Sequence, residues 1–325
     1  MKKSFLILII TVATILAGCS RNTQPEEFSG EDNITSNKAV EKTDYEYYNF
    51  TSEYSVTVKN AKDVLLEISV ALPENIKGKQ IIKELTYSPE PKQITRENGR
   101  KTAVFEFENP PQVTKITVSG QAGIRTYDLM SAQENPNAEK QTFIEKKYLS
   151  PEQFIESKDG VIVNRAKELR GSTKLQTIKN IYYFVQRNMR YDVSKDTVGA
   201  KELLKTRKGK CSDYAALMVA LLRANSIPAR VVSGNIVEKD SIQHTWVEVN
   251  FEDLGWVEFE PTVLATSKPD FAHSPNKYLI SGIDTTTPVI VKLNVPVKDN
   301  RPRPDILVLL ENKTEFFNPE TNEPI

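Results

Sequence analysis

The chain has 325 residues, with 43 basic and 43 acidic side chains and therefore no net charge. A nucleic-acid-binding protein needs a basic face to neutralise phosphates, so this balance argues against that class. Only two cysteines occur, which excludes a disulfide framework as a source of stability. The length allows about two domains beside a leader and a linker.

The amino-terminal segment has the layout of a secretion signal. Lys2 and Lys3 precede an apolar run from Phe5 to Ala17, which is shorter than the about 20 residues that a membrane-spanning helix needs. The run leads into the sequence LAGC ending at Cys19, which resembles the lipobox of bacterial lipoproteins. That resemblance implies cleavage before Cys19 and a diacylglyceryl thioether on its sulfur, although an ordinary signal peptide is the alternative. We therefore expect residues 1–19 to be a lipoprotein signal and the protein to be anchored on the extracytoplasmic face of a bacterial membrane.

The next two segments differ in composition and in hydrophobic pattern. Residues 20–44 are polar, charged and nearly free of large apolar side chains, which is typical of a flexible tether. Residues 45–130 contain short alternating runs, and Asn98-Gly99 between two of them predicts a hairpin. We predict a small all-β, sandwich-like domain that serves as a spacer or positions a substrate.

The following segment, 148–283, begins with helical patterns. Lys174 to Met189 carries apolar residues at three- and four-residue spacings, and Ala215 to Leu222 is small and apolar nearly all round. Strand patterns follow, and helices followed by an antiparallel sheet predict an α+β domain. Residues 284–325 form a carboxy-terminal extension with two strand candidates. It could add edge strands or cover the catalytic domain, and it has no assigned role.

Cys211 is the residue that most suggests chemistry. If Cys19 carries a lipid, Cys211 is an unpaired thiol in an exported protein. Such a thiol is at risk of oxidation, so its presence suggests a chemical role. Gly209 allows a turn before it, and Ser212 and Asp213 suit the first turn of a helix, whose positive end favours the thiolate. The alternative is a buried and inert cysteine at a helix start.

A histidine and a carboxylate follow on two adjacent strand patterns. His244 is the second residue of QHTWVEVN, and Glu260 is the sixth residue of GWVEFEPT. If Asn250 pairs with Gly255 across the short loop, antiparallel pairing brings Thr245 opposite Glu260, with His244 one step away. In such a pair the carboxylate orients the imidazole, and the imidazole activates the thiol.

Other candidates are weaker. His273, the second of two histidines, lies in the loop-like stretch FAHSPN, so we expect a solvated side chain. Zinc sites usually contain closely spaced Cys and His pairs, which this chain lacks, so we expect no metal and no other cofactor. The basic run at 207–210 fits a solvated loop, although it could also favour the thiolate.

The motifs resemble those of the bacterial transglutaminase-like superfamily, relatives of papain-type cysteine proteases. The likeness rests on NIYYFVQRNMRYD, GKCSDYAALMVALLRANSIPARVVSG, HTWVEV and GWVEFEPT. It implies an α+β fold in which a helix carrying the nucleophile packs on an antiparallel sheet. By that likeness Cys211 is the nucleophile, His244 the general base and acid, and Glu260 the third member, where the family usually has aspartate. The Cys211 backbone amide would contribute to the oxyanion hole.

The sequence is compatible with two functions. The first is a surface-anchored enzyme that acts on a protein or peptide, such as a cell-wall peptide, through a thioester, by hydrolysis or by cross-linking. The second is a catalytically inactive lipoprotein of the same fold that serves as a binding or scaffolding module. Hydrolase and transferase share one acyl-enzyme, so the three candidate residues do not separate them.

Overall fold

The computed structural model describes residues 5–10, 45–59, 63–97, 100–133, 144–193, 196–239, 241, 243–263, 270–274, 276–284, 289–296 and 306–325. Cys19, the predicted tether at 20–44 and the predicted Asn98-Gly99 turn lie outside these residues. The lipid anchor and the tether therefore stay predictions.

Two antiparallel sheets form the β domain. With strands numbered in chain order, the first sheet contains β1 (Phe5–Ile10), β14 (Val289–Pro296), β3 (Leu65–Ala71), β6 (Arg100–Glu108) and β5 (Gln93–Glu97). The second contains β15 (Leu307–Phe317), β2 (Glu46–Lys59), β7 (Val113–Ile124) and β4 (Gln80–Ser88). Alternate residues of both sheets share one core, among them Val56, Leu66, Phe105, Ile116 and Leu293. This arrangement is the sandwich that the alternating pattern predicts, and the predicted all-β domain is confirmed.

The sandwich is discontinuous in sequence. β14 pairs with β3 and β15 pairs with β2, so two strands from the carboxy-terminal extension belong to it. The boundary that we predicted at residue 130 leaves these strands out, because pairing between distant segments has no local sequence signature. Residues 5–10 of the predicted signal peptide pair with β14 as β1, and cleavage of that peptide stays a prediction.

The middle of the chain forms the predicted α+β domain, whose fold class is confirmed. Its helices, together with a preceding short one, are α1 (Leu129–Gln133), α2 (Gly160–Glu168), α3 (Lys174–Asn188), α4 (Ala200–Thr206) and α5 (Cys211–Ala224). Its main sheet has the order β12 (Gly255–Phe259), β11 (Gln243–Phe251), β10 (Ala229–Ile236) and β13 (Tyr278–Ile283). A short parallel pair consists of β8 (Arg190–Tyr191) and β9 (Lys208–Gly209). In the described part of the chain, none of the helices has both the length and the apolarity needed to cross a membrane.

Helix α5 is the centre of this domain. All its residues from Cys211 to Arg223 are buried, against α2, α3 and α4 on one side and β10 and β11 on the other. Burial of a leucine side chain contributes about 1.5–3 kcal/mol, so Leu217, Leu221 and their neighbours stabilise the helix strongly. Its end is fixed by Asn225, whose amide donates to the Leu221 carbonyl. The packing therefore holds Cys211, the first helical residue, in a fixed place.

A row of buried charges joins the sandwich to the other face of the sheet. Arg230, Glu248 and Glu258 lie side by side on β10, β11 and β12. Lys79, the residue before β4, reaches Glu248 at 2.5 Å and Glu258 at 3.6 Å, and the Arg230 guanidinium lies 2.6 Å from Glu248. Burial would raise the pKa of Glu248, but Arg230 and Lys79 outweigh it and lower that pKa. Burial and the charges of Glu248 and Asp128 raise the pKa of Glu258 to about 7 despite Lys79.

The Gln80 side chain makes a second connection between the two domains. Its amide nitrogen donates to the Ile280 carbonyl at 2.9 Å, and its oxygen accepts from the Ile280 N–H at 2.7 Å. The side chain thus pairs with β13 much as a neighbouring strand would. Since Lys79 and Gln80 are adjacent, one short segment of the sandwich docks on both the face and the edge of the sheet.

Gly234 is a position where the fold tolerates no side chain. It lies in β10 at a register shift against β13, and a Cβ there would come within 2.0 Å of the Leu279 carbonyl oxygen. We expect Gly234→Ala to lower the free energy of unfolding by about 3 kcal/mol, because a strand backbone must move.

The matched control for this change is Gly160→Ala at the start of α2. A Cβ at Gly160 meets nothing within 4 Å, so we expect a change within about 1 kcal/mol. Urea unfolding followed by circular dichroism compares the two variants. Equal midpoints would contradict the close approach of β10 and β13.

Candidate active site

Cys211 begins α5 in a tightly bonded turn. The Asp213 carboxylate accepts hydrogen bonds from the backbone N–H groups of Lys210, Val198 and Gly199, at 3.0, 2.7 and 3.0 Å. A Cβ at residue 209 would meet that carboxylate at 2.7 Å, so Gly209 is needed for close packing rather than for a special backbone angle. The turn places the thiol at the positive end of the helix, where a thiolate is stabilised.

The three candidate residues lie together in the structure. Nε2 of His244 lies 2.5 Å from Oε2 of Glu260. The Cys211 thiol is hydrogen-bonded to the same imidazole, and Nδ1 is the ring nitrogen left for it. All three side chains are buried, with relative exposures of 9% for Cys211, 1% for His244 and 3% for Glu260.

The strand register that brings Glu260 to His244 differs from the predicted one. Phe251, rather than Asn250, pairs with Gly255, because the connecting loop has three residues and Gly255 adopts a φ of 73°. The predicted register placed Glu260 opposite Thr245, whose side chain points to the other face of the strand. The observed register, continued past β12, places Glu260 on the same face as His244, diagonally across the pair.

Two further donors hold the Glu260 carboxylate. The Thr262 N–H donates to Oε1 at 2.8 Å, and the Tyr278 hydroxyl donates to Oε2 at 3.0 Å. The glutamate, which stands where the resemblance implies aspartate, thus has hydrogen bonds at both oxygens. Its carboxylate is fixed toward the imidazole.

The electrostatics favour an ion pair between the thiol and the imidazole. Burial would raise the pKa of Cys211, but the hydrogen bond and the charge of His244 outweigh it, so that pKa lies below its ordinary value. Burial would lower the pKa of His244, but the Glu260 charge and the bonds to Cys211 and Glu260 raise it to about 10. Since each group shifts the other, the two titrate as a pair.

Two groups at the sulfur were missed by the sequence reasoning. The Tyr191 hydroxyl is hydrogen-bonded to Cys211, and the Thr245 N–H donates to its sulfur. Tyr191 reaches the site because β8 pairs in parallel with β9, which places it beside Gly209. A two-residue strand has no sequence pattern, so only the motif letters RYD could have pointed to this residue.

His273 is separate from this cluster. Its side chain is 54% exposed, and Nδ1 lies 3.0 Å from the buried Asp128 carboxylate. Among the described residues, no group of three or more His, Cys, Asp or Glu side chains is arranged to hold a metal ion.

Residues 163–261, which include Cys211, His244 and Glu260, match the transglutaminase-like superfamily. The chain contains a transglutaminase-like domain. Within it, 90 residues are 38% identical to the uncharacterised protein YebA of Bacillus subtilis, covering 23% of this chain and 12% of that protein. A stretch of 71 residues is 37% identical to a protein-glutamine γ-glutamyltransferase of Pseudomonas aeruginosa, covering 18% of this chain and 11% of that enzyme. The matches thus span about an eighth or less of these relatives.

A likeness in fold extends beyond the transglutaminase-like domain. The crystal structure of a candidate cysteine protease from Cytophaga hutchinsonii superposes with a TM-score of 0.57, covering 84% of this chain and 99% of that one. At 14% identity this likeness concerns the fold alone. The predicted superfamily is confirmed, whereas the roles of Cys211, His244 and Glu260 stay predictions.

Proposed function

We propose that the protein is a cysteine-dependent enzyme of acyl transfer. The observation that carries the proposal is the buried chain of hydrogen bonds from Cys211 through His244 to Glu260. An isolated thiol with a pKa of about 8.5 is only a few per cent ionised at neutral pH. The lowered pKa of Cys211 supplies the thiolate that such chemistry needs.

The reaction runs in two steps. The Cys211 thiolate attacks the carbonyl carbon of a carboxamide or peptide, and the His244 imidazolium gives its proton to the departing nitrogen, which leaves a thioester. Water or a primary amine then attacks the thioester, its proton passes to the imidazole, and the thiolate is released. Glu260 stabilises the imidazolium throughout.

Charge on the attacked oxygen needs its own donors. The Cys211 backbone N–H at the start of α5 is one. We assign Tyr191 as the other, because its hydroxyl already lies at the sulfur. Burial and the nearby Cys211 charge raise the pKa of Tyr191, so the hydroxyl keeps its proton and remains a donor.

The substrate class follows from the chemistry and the predicted location. A carboxamide or peptide bond on a protein or a cell-wall peptide supplies the carbonyl. The lipobox-like sequence ending at Cys19 supports attachment to the extracytoplasmic face of the membrane through a lipid. The mechanism itself needs no metal and no organic cofactor.

The proposal is tested by the pH dependence of iodoacetamide alkylation in a chain carrying Cys19→Ser, where Cys211 is the one thiol. We expect fast alkylation well below pH about 8.5, falling only when the pH drops through the lowered pKa of the thiol. His244→Ala should abolish this acid-side reactivity, because burial alone raises the pKa of Cys211.

His273→Ala is the matched control, since it removes the other histidine, and its profile should equal that of the parent. A parent protein that reacts only above pH about 8.5, or that is unaffected by His244→Ala, would contradict the proposal. The chain would then be a binding module on a transglutaminase-like fold.

A further inference from the structure

Tyr278 lies where strand β13 begins, and it contacts the candidate acid from outside the motifs that contain Cys211, His244 and Glu260. Its side chain is buried, with 4% exposure, and its hydroxyl lies 3.0 Å from Oε2 of Glu260. The same oxygen lies 2.5 Å from Nε2 of His244. One carboxylate oxygen is therefore shared by the imidazole and the phenol.

The direction of the Tyr278 hydrogen bond is set by its other partners. The Asn276 amide nitrogen and the Ser274 hydroxyl both lie 3.3 Å from the phenol oxygen. An amide NH₂ can only donate, so the phenol oxygen accepts there and its single proton is left for Glu260. Burial and the Glu260 charge raise the pKa of Tyr278 well above its ordinary value, so that proton stays in place.

The ring of Tyr278 is held as firmly as its hydroxyl. It stacks on the Trp246 indole, with ring centroids 4.2 Å apart and planes 19° apart. It is also nearly parallel to the His244 ring, at 9° and 6.2 Å. Because these rings come from β11 and β13, the stack ties the histidine strand to the strand that carries the phenol.

We infer that Tyr278 is a positioning residue that fixes the Glu260 carboxylate against His244. A glutamate has one more rotatable bond than the aspartate usual in this superfamily, so its carboxylate needs more restraint. Thr262 restrains one oxygen and Tyr278 restrains the other. The inference rests on the proposed function, because it assigns the support of the imidazolium to this pair.

Several titratable groups face Glu260, and all of them enter the pH response. They are Cys211 on α5, His244 on β11, Tyr191 on β8, Tyr182 on α3 and Tyr278 on β13. Of these five groups, only His244 and Tyr278 are hydrogen-bonded to the Glu260 carboxylate. Tyr278→Phe removes one of these two bonds and leaves the ring stack intact.

The test is the alkylation profile of Cys211 in the full chain in detergent, with Cys19→Ser as background. In Tyr278→Phe the Glu260 carboxylate loses the donor that holds Oε2. It then supports the imidazolium less firmly, which weakens the His244 charge that lowers the pKa of Cys211. We therefore expect the acid-side midpoint to rise by about one pH unit or more.

Tyr127→Phe is the matched control. Tyr127 is also buried, and its hydroxyl donates to a backbone carbonyl, that of Leu254, at 2.8 Å. The Tyr127→Phe variant loses one buried hydrogen bond that does not involve Glu260, so its alkylation profile should equal that of the parent. A merely structural role for Tyr278 would make the two variants behave alike.

The outcomes separate this inference from the proposed function. If the parent keeps its His244-dependent acid-side reactivity and Tyr278→Phe has the same midpoint, the inference fails alone. If the parent has no such reactivity, both fail.

Should Tyr278→Phe lose its folded near-ultraviolet spectrum, Asn276→Ala provides a second variant. It keeps the phenol but removes one of the two groups that donate to the phenol oxygen and so direct its proton to Glu260. We expect a smaller rise of the midpoint in the same direction, and no rise in this variant overturns the inference.

Discussion

Cys211→Ala should lower acyl-transfer activity by about 10³-fold or more, because no other group can form the thioester.

Glu260→Ala should lower acyl-transfer activity by about 10²-fold or more, since a buried imidazolium would lose its counter-charge. Two readouts cover the two possible acceptors: incorporation of a fluorescent primary amine into casein, and release of ammonia from casein carboxamides in its absence.

His273→Ala and Cys19→Ser are the controls for the activity assay. His273 is half-exposed and bonded to Asp128 rather than to Cys211, His244 or Glu260, and Cys19 belongs to the predicted anchor. Both variants should retain parent activity in detergent. Turnover that survives Cys211→Ala would place the nucleophile elsewhere and contradict the proposed mechanism.

The parts of the site that the sequence predicts are those with a local pattern. The sequence of helix α5 predicts a buried helix because nearly all of its faces carry small apolar residues. The structure buries every residue from Cys211 to Arg223. His244 and Glu260 are adjacent because each lies on a strand pattern and the loop between the strands is short. Local periodicity thus predicts the α+β class and the elements that carry the three side chains, but not the register that brings Glu260 to His244.

The parts that the sequence did not predict depend on register and on distant pairing. The hairpin register was wrong by one residue, because the pattern does not reveal where Gly255 takes its positive φ. Tyr191 and Tyr278 reach the site through β8 and β13, whose pairing with β9 and β10 has no local sequence signature. The strands β14 and β15 have a local strand pattern, but nothing local indicates that they pair with β3 and β2.

The sandwich contacts the sheet that carries His244 through Lys79, and the effect of this contact on stability can be measured. Its Nζ lies between two buried carboxylates, Glu248 at 2.5 Å and Glu258 at 3.6 Å, and above the Tyr127 ring at 5.1 Å. Lys79→Met leaves both carboxylates buried with only Arg230 opposite them. Removing one partner of a buried ion pair costs about 3–5 kcal/mol, so we expect a loss of that size in the free energy of unfolding at pH 8.

The loss should shrink as the pH falls. Since the pKa of Glu258 is about 7 with Lys79 present, and Lys79 lowers it, the variant holds a proton on Glu258 more tightly still. Because the pKa of Glu258 is higher in the folded state than in the unfolded state, the free energy of unfolding falls as the pH rises between these two values. In the variant this fall is steeper. At pH 5 Glu258 is protonated in the variant, and the remaining carboxylate charge, that of Glu248, is still paired with Arg230.

Lys277→Met is the matched control for Lys79→Met. Its Nζ lies 2.5 Å from Glu46, as close as Lys79 lies to Glu248, but the Lys277 and Glu46 side chains are 37% and 56% exposed. An exposed pair contributes about 0–1 kcal/mol, so this variant should unfold almost as the parent does. Urea titrations at pH 5 and pH 8 compare the two variants, and equal losses would contradict a buried charge cluster between sandwich and sheet. A loss confined to Lys79→Met would show that the β domain stabilises the sheet that carries His244, because Glu248 lies on the same strand four residues further along.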